Sequence, residues 1–349
     1  MSAESKYQHI LETKKAVLLS IESSCDETAA AVVENGRTVL SNVVHTQIPL
    51  HQEFGGVVPE IASRNHVEMI TPVVSRALEE AHLKLEDLDG IAVTHGPGLV
   101  GSLLIGLTFA KSLAFAADLP LACVNHLASH IAANYLTFPD LEPPFTCLIV
   151  SGGHSDLVRI DSYNRFTPIG STRDDAAGEA FDKIARVLGL PYPGGPEMEK
   201  LAKEGDPRAI RFHSAFNESD TFDFSFSGLK TAAIHELHVL EEKGETAKKA
   251  DIAASFQYTL VKILSEKALR AVLENGDSTL ALAGGVSANK ALRETLAEKC
   301  SKNGIRFCCP DFKYCTDNAA MVGSAGFYRL LDAPPDSLSI NAYPNLELC

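Results

Sequence analysis

From Ala16 onward the chain alternates short apolar runs with polar turns. Ala16-Val-Leu-Leu-Ser-Ile21 reads as a buried strand, Glu22-Ser-Ser-Cys-Asp-Glu-Thr28 as a polar loop, and Ala29 to Val33, ended by Asn35-Gly36, as the returning strand of a hairpin. Thr38 to Gln47 supplies a third strand. Between Val57 and His82 the period changes, because Ile61, Met69, Ile70, Val73, Val74, Ala77 and Leu78 recur at helical spacing. A strand over Ile91–Thr94, the loop His95-Gly-Pro-Gly98, an apolar small-residue helix over 98–117, a strand over Leu121–Asn125 and a helix over His126–Leu136 complete an α/β half.

Pro139, Pro143 and Pro144 mark a linker, after which the opening pattern returns. Phe145-Thr-Cys-Leu-Ile-Val150 is a strand, Ser151-Gly-Gly-His-Ser-Asp156 a turn, and Leu157-Val-Arg-Ile160 a strand again. Helices are predicted near 174–188, 196–204, 229–239 and 247–275, then the strand Thr279–Ala283, the turn Gly284-Gly285 and a helix from about Ser287. Two α/β halves, each opened by strand, turn and strand, imply duplication. They predict a nucleotide held in a cleft between the halves, its phosphate clasped by the hairpin turns.

With 45% apolar and 22% charged residues over 349 positions, the composition excludes disordered and fibrous classes. The length suggests two domains. The 31 basic against 45 acidic side chains leave −14, which argues against holding nucleic acid through the bulk field, though not through a local patch. Candidates for such a patch are Arg173, Lys183, Arg186, Lys230 and Arg293. Residues 1–15 lack the apolar stretch of a secretory signal and carry Glu4 and Glu12, unlike a transit peptide, so they read as a short frayed extension. Helix 98–117 is interrupted by Lys111 and small polar residues, which favours a buried helix over a membrane span, with a partner-facing surface as the alternative. Eight scattered cysteines without C-x-x-C pairs form neither a disulfide framework nor a zinc ribbon, and a reducing cytoplasm is expected.

His126-Leu-Ala-Ser-His130 places two imidazoles one helical turn apart, projecting toward one point suited to Zn or Fe. A metallopeptidase would need Glu directly after the first His, where Leu127 stands. Asp317, in Tyr314-Cys-Thr-Asp-Asn318, is the candidate third ligand; the plainer alternative is that Thr316 or Asp317 caps the following helix. Gly96-Pro-Gly98, Ser151-Gly-Gly153 and Gly284-Gly285 follow strands and are candidate phosphate turns, although none fits a P-loop or Rossmann fingerprint. Asp175, Glu179 and Asp182 would share one face of a helix, either as a solvated acidic stripe or with Asp182 reaching ribose hydroxyls.

Ser20-Ile-Glu-Ser-Ser-Cys-Asp-Glu-Thr28, Gly55-Gly-Val-Val-Pro-Glu60, Gly96-Pro-Gly98 and Asn125-His126 to His130 stand in the first half. Val150-Ser-Gly-Gly-His154, Asp174 to Lys183, Tyr192-Pro-Gly-Gly-Pro196, Asp223 to Thr231, Ala283-Gly-Gly-Val-Ser-Ala-Asn289 and Cys315-Thr-Asp-Asn318 stand in the second. Together these strings closely resemble the bacterial tRNA N6-adenosine threonylcarbamoyltransferase family, once labelled sialoglycoprotein endopeptidases, over roughly residues 16–330.

The resemblance implies an α/β, two-domain actin-like fold, ribonuclease-H-like and duplicated. Its expected parts are an N-terminal extension (1–15), an N-terminal domain (16–141) completed by helix 319–332, a C-terminal domain with a helical insertion (142–318), and a tail (333–349). It implies transfer of a threonylcarbamoyl group from threonylcarbamoyl-adenylate to N6 of adenosine 37, in tRNAs reading codons that begin with A, with release of AMP. By motif, His126, His130 and Asp317 match the ligands of one divalent metal ion, Fe or Zn. Ile149, Val150, Ser151, Gly152, Gly153, Asp182, Gly195 and Asn289 match positions around the adenylate, and Asp26 and Glu27 match an acidic active-site loop. Archaeal and eukaryotic relatives carry a ligating Tyr where this chain has Ile149, so no fourth protein ligand is expected. Implied partners are the tRNA anticodon loop, a paralogous actin-like subunit and a small ATPase, with no membrane. The alternatives are an actin-like sugar or carboxylate kinase, which leaves the His pair unexplained, and a non-catalytic scaffold.

Overall fold

The computed structural model describes residues 1–213, 220–244 and 249–348. Its first elements are α1 (Ala3–Thr13), β1 (Val17–Glu22), β2 (Glu27–Glu34), β3 (Thr38–Thr46), α2 (Ile48–Gln52), α3 (Pro59–Ala81), β4 (Gly90–Gly96), α4 (Val100–Ala117), β5 (Leu121–Asn125) and α5 (His126–Thr137). There follow β6 (Phe145–Val150), β7 (Ser155–Ser162), β8 (Arg165–Ser171), α6 (Ala177–Leu188), α7 (Gly194–Ala202), α8 (Ser227–Glu242) and α9 (Lys249–Asn275). The chain ends through β9 (Thr279–Ala283), α10 (Lys290–Lys302), β10 (Arg306–Cys308) and α11 (Ala319–Asp332). The predicted start of α9 at 247 lies outside the described residues.

Two compact units form. The first comprises 1–143, 161–166 and 310–349, the second 144–160 and 167–309. Each holds one five-stranded sheet, in the order β3-β2-β1-β4-β5 and β10-β9-β6-β7-β8. With the second read in reverse, the two orders match position by position, with an antiparallel hairpin (β1/β2, β6/β7) and a parallel neighbour (β4, β9) beside each first strand. The repeat read from the apolar pattern is therefore a repeat of topology.

In the first unit β1 alternates its side chains between two layers. Leu19 and Ile21 join Ile70, Val73, Leu103 and Leu107 of α3 and α4 in one core. Ser20 points to the other face, where its hydroxyl donates to the Ala319 carbonyl of α11 at 2.7 Å. Helix α11 lies directly on the sheet because its glycines permit it: a Cβ on Gly326 would stand 2.4 Å from the Ala92 Cβ, and one on Gly323 2.7 Å from Val33 Cγ2. Helix α4 has the length and apolarity of a membrane span, but Leu103, Leu107, Ala110 and Ala114 are buried within the unit. Its other face is exposed at Val100 (52%), Leu104 (39%) and Phe115 (78%), so the buried-helix expectation holds for one side only.

In the second unit Phe181 of α6, Phe226 just before α8, Leu229 of α8, and Phe256 and Leu264 of α9 form one core with Leu148, Val150 and Leu282 of the sheet.

The N-terminal segment departs from expectation. Residues 3–13 are not frayed: Ser2 caps α1, Tyr7 and Ile10 are buried, and the Lys6 ammonium donates to the Leu88 carbonyl. Residues 336–347 lie along the first unit. Asp336 N–H donates to Leu121 O and its carboxylate accepts from Cys123 N–H; Tyr343 N–H donates to His95 O; Gly98 N–H donates to Pro344 O. Helix α6 starts at Ala177, so Asp175 lies before it and not on its face. The helix expected from Ser287 begins at Lys290, after a short 3-10 turn over Gly285–Ala288.

Candidate metal and transfer site

Asn125 ends β5 and caps α5, its side-chain oxygen accepting from Leu127 N–H (2.8 Å) and Ala128 N–H (3.4 Å). His126 and His130 therefore occupy the first turns of a fixed helix. Their rings meet edge to face with centroids 4.6 Å apart. Asp317 reaches them from the segment before α11: its Oδ1 lies 3.1 Å from His130 Nε2 and 3.5 Å from His126 Nε2. The cap of α11 is neither Thr316 nor Asp317 but Asn318, whose Oδ1 accepts from Met321 N–H while its amide donates to Tyr314 O and Thr316 O. That leaves the Asp317 carboxylate facing the two rings.

A ligand atom from each of the three residues falls within 4.8 Å of the others, and no other such His/Cys/Asp/Glu group occurs among the described residues. Two imidazole nitrogens and a carboxylate are a donor set suited to Zn or Fe, with coordination positions left open. The surroundings fit that use. Glu22, fully buried at the end of β1, sets its Oε2 3.0 Å from His126 Nδ1 and accepts there from Thr94 Oγ1 (2.7 Å), while its Oε1 accepts from Ser24 N–H (2.6 Å). A carboxylate at Nδ1 holds that nitrogen protonated and turns Nε2 toward Asp317. His130 Nδ1, buried as well, has no partner among the described residues.

The charges follow from this packing. Burial disfavours the charged form of His126, but the Asp317 and Glu22 carboxylates outweigh it and lift the imidazole to about 9. Burial likewise pushes Glu22 up, and His126 reverses that, leaving its carboxyl below the usual range. Glu27 is held well above the ordinary carboxyl value by burial, then by the nearby charges of Asp317 and Asp26. The Cys25 thiol is raised for the same reasons. Cys25 and Glu27 thus share the field of Asp317, and the loop that carries them is pinned by His66. That buried ring joins Thr28 Oγ1 (2.7 Å) to the Cys25 carbonyl (2.9 Å).

Glycines close this region. A Cβ on Gly98 would meet Ser24 O at 2.5 Å, and one on Gly106 would meet Ser23 Oγ at 2.3 Å. Gly96-Pro-Gly98 therefore serves close packing, and its Gly98 N–H is already taken by Pro344 O.

The second unit gathers the other expected residues. Ser151–His154 form a closed turn, in which Ser151 N–H donates to His154 O (2.9 Å) and His154 N–H to Ser151 Oγ (3.1 Å). Gly152 and Gly153 are exposed, with open space where a Cβ would stand. Ile149 and Val150 are fully buried strand residues. Asp182 Oδ1 accepts from Gly194 N–H at 2.8 Å, and its carboxyl is raised by burial against the pull of the Gly194 and Gly195 amides. Asn289 caps α10 through Leu292 N–H and donates to Gln257 Oε1, each at 2.9 Å. Of the expected cationic patch, Arg173 pairs with Asp223, Lys183 with Asp175 and Glu179, and Lys230 with Asp175, while Arg293 donates to Ser287 O.

The family described as tRNA N6-adenosine threonylcarbamoyltransferase matches residues 38–324. A protein of that name from Clostridium botulinum (strain Kyoto / Type A2) is 54% identical over 331 residues, covering 95% of this chain and 97% of its own. Its namesake from Clostridium perfringens (strain ATCC 13124) is 54% identical over 334 residues, covering 96% and 98%. The chain belongs to the tRNA N6-adenosine threonylcarbamoyltransferase family. It is an enzyme that transfers a threonylcarbamoyl group to tRNA. Among solved structures, HypF of T. kodakarensis aligns with a TM-score of 0.61 at 16% identity over 90% of this chain and 47% of its own. Component A of the Acidaminococcus fermentans (R)-2-hydroxyglutaryl-CoA dehydratase aligns at 0.53 and 15%, over 90% and 98%. These likenesses bear on fold, and the fold is the two-domain actin-like one expected.

Glu22, Ser24 and Thr94 were not among the residues singled out from sequence. The available signal was an acidic residue at the end of an otherwise apolar strand.

Proposed function

We propose that the chain takes the threonylcarbamoyl group from threonylcarbamoyl-adenylate and places it on N6 of adenosine 37, in tRNAs reading codons that begin with A, releasing AMP. His126, His130 and Asp317 would hold one divalent Fe or Zn ion. The observation that carries this reading is the convergence of those three side chains, with a fully buried carboxylate behind one imidazole, in a chain of this family. A metal ion so bound supplies Lewis-acid polarisation of the carbamoyl carbonyl or a grip on the phosphate.

The donor is already activated, so the protein's task is positioning and charge stabilisation. The open glycines Gly152 and Gly153 present backbone amides to the AMP phosphate, while Gly195, at the start of α7 with open space where a Cβ would stand, lets the adenylate approach the backbone closely. Adenosine N6 attacks the carbamoyl carbon, the bond from that carbon to the phosphate oxygen breaks, and AMP carries away the electron pair. The proton lost from N6 goes to a carboxylate of the Asp26–Glu27 loop, where Glu27 lies close enough to Asp317 to feel its charge. An anticodon-loop base is already single-stranded, which lowers the cost of splaying it out. The exposed Val100, Leu104 and Phe115 of α4 suit a paralogous actin-like subunit; a small ATPase completes the set, and the cytoplasm is the place of work.

Metal analysis of the purified protein tests the reading. The wild type is expected to carry close to one Fe or Zn per chain and His126→Ala almost none. Equal content in both would remove the triad from the account.

A further inference from the structure

The second unit contains a hollow of about 450 Å3 that none of the expected site residues lines. One wall is a stripe of α9, where Tyr258, Lys262 and Glu266 recur every four residues and so share a face. The other wall is residues 207–213, which bring Arg208, Arg211 and His213, all exposed. Ile210, Phe212 and Ile263 contribute apolar lining between them. Lys267 is buried, its ammonium donating to Thr221 O (2.9 Å) and Asp223 O (2.6 Å).

This charge pattern is unlike the rest of the unit. The cations near α6 are tied to carboxylates, as described above. Arg208, Arg211 and Lys262 have no carboxylate partner among the described residues, and Glu266 stands 3.9 Å from Lys299. In a chain of net −14, Arg208, Arg211 and Lys262 gathered in one concavity against the single lining carboxylate of Glu266 leave it net positive and favour the entry of a polyanion. Tyr258, 44% exposed beside them, offers a ring on which a base or ribose can rest. The hollow has the two components of a single-strand nucleic-acid groove, a cationic wall and an aromatic platform.

We propose that this hollow is a phosphodiester-binding subsite that grips the backbone of the acceptor RNA, Arg208, Arg211 and Lys262 each meeting a phosphate oxygen and Tyr258 a nucleoside face. The proposal rests on tRNA being the acceptor and adds where on the chain it is held.

The test is fluorescence anisotropy of a labelled, unmodified tRNA transcript against the full chain, over a range of KCl concentrations. It compares wild type with Arg208→Ala/Arg211→Ala/Lys262→Ala and with Lys15→Ala/Lys84→Ala/Lys302→Ala, which removes the same charge elsewhere. Each lost phosphate contact flattens the slope of log K against log [salt] by about 0.7–0.9, so the pocket variant is expected to lose about 2–3 in slope and about tenfold or more in low-salt affinity. The control is expected to keep the wild-type slope. Lys262→Gln, a mild change on an exposed helix face, is expected to lose about one contact's slope, so the proposal stands or falls even where the triple variant misfolds. Pocket variants that bind tRNA like wild type would overturn the subsite and leave the acceptor reading intact. Loss of binding to ATP or pyrophosphate with tRNA binding unchanged would make it a small-anion site and overturn it too. A wild type with no salt-dependent tRNA binding would take down the acceptor reading with it.

Discussion

Glu22 is wholly buried, yet Ser24 N–H, Thr94 Oγ1 and the His126 imidazole use both its oxygens. Such a group acts through the ligand it orients. Glu22→Gln keeps the shape and removes the charge, so it is expected to weaken metal binding about 10–100-fold, read by competition with a chromophoric chelator. Unchanged affinity would show that His126 needs no orienting carboxylate. Asp156 makes the opposite case. Burial raises its carboxyl from the usual 3.8 to about 6. The folded protein therefore binds its proton more tightly than the unfolded chain, and stability falls as pH rises from about 4 to about 6. Asp156→Asn is expected to raise the melting temperature at pH 7 and leave it unchanged near pH 3.5, measured by calorimetry at both. At this scale the sequence showed what spacing shows: two His one turn apart, and an Asp in a recognisable string. Glu22 escaped because one acidic residue ending a strand looks the same whether it faces solvent or an imidazole.

Among the elements, α5 carries His126 and His130 and Asp317 stands just before α11, so the spacing of the three is set by how closely α11 lies on its sheet. Gly326→Ala places a methyl where Ala92 Cβ stands 2.4 Å away, so α11 must lift or the strand must move. The expected cost is about 1–3 kcal/mol in denaturant unfolding, with weaker metal binding as Asp317 shifts. An Ala variant as stable as wild type would mean that this contact does not fix the helix. Apolar runs and helical periods made most elements visible, with β5 and β6 placed to the residue. The misses have physical causes. Strand β8 carries Pro168 and Gly170 and is mostly exposed, β10 has three residues, and α1 buries only Lys6, Tyr7 and Ile10 of its 11. The C-terminal segment is held largely by backbone hydrogen bonds and the Asp336 carboxylate, which leave little trace in residue type.

For the whole molecule, the net −14 argues against tRNA capture by bulk field and puts the weight on local patches. Sequence proximity to the expected adenylate site pointed to Arg173, Lys183 and Lys230, but their charges are already met by Asp223, Asp175 and Glu179. Pairing between residues up to 55 positions apart is not legible from a one-dimensional charge pattern. The duplicated hairpin was legible, because each half repeats its own strand–turn–strand signal, whereas the order of the strands in each sheet was not. The central claim is that the triad in the first unit supports threonylcarbamoyl transfer to tRNA. It is tested most directly by supplying threonylcarbamoyl-adenylate, unmodified tRNA and the partner proteins, then quantifying modified adenosine in nuclease digests by mass spectrometry. The account predicts robust modification with metal-loaded wild type and at least about a hundredfold less with His126→Ala. Equal modification by both proteins, or none by either, would contradict it.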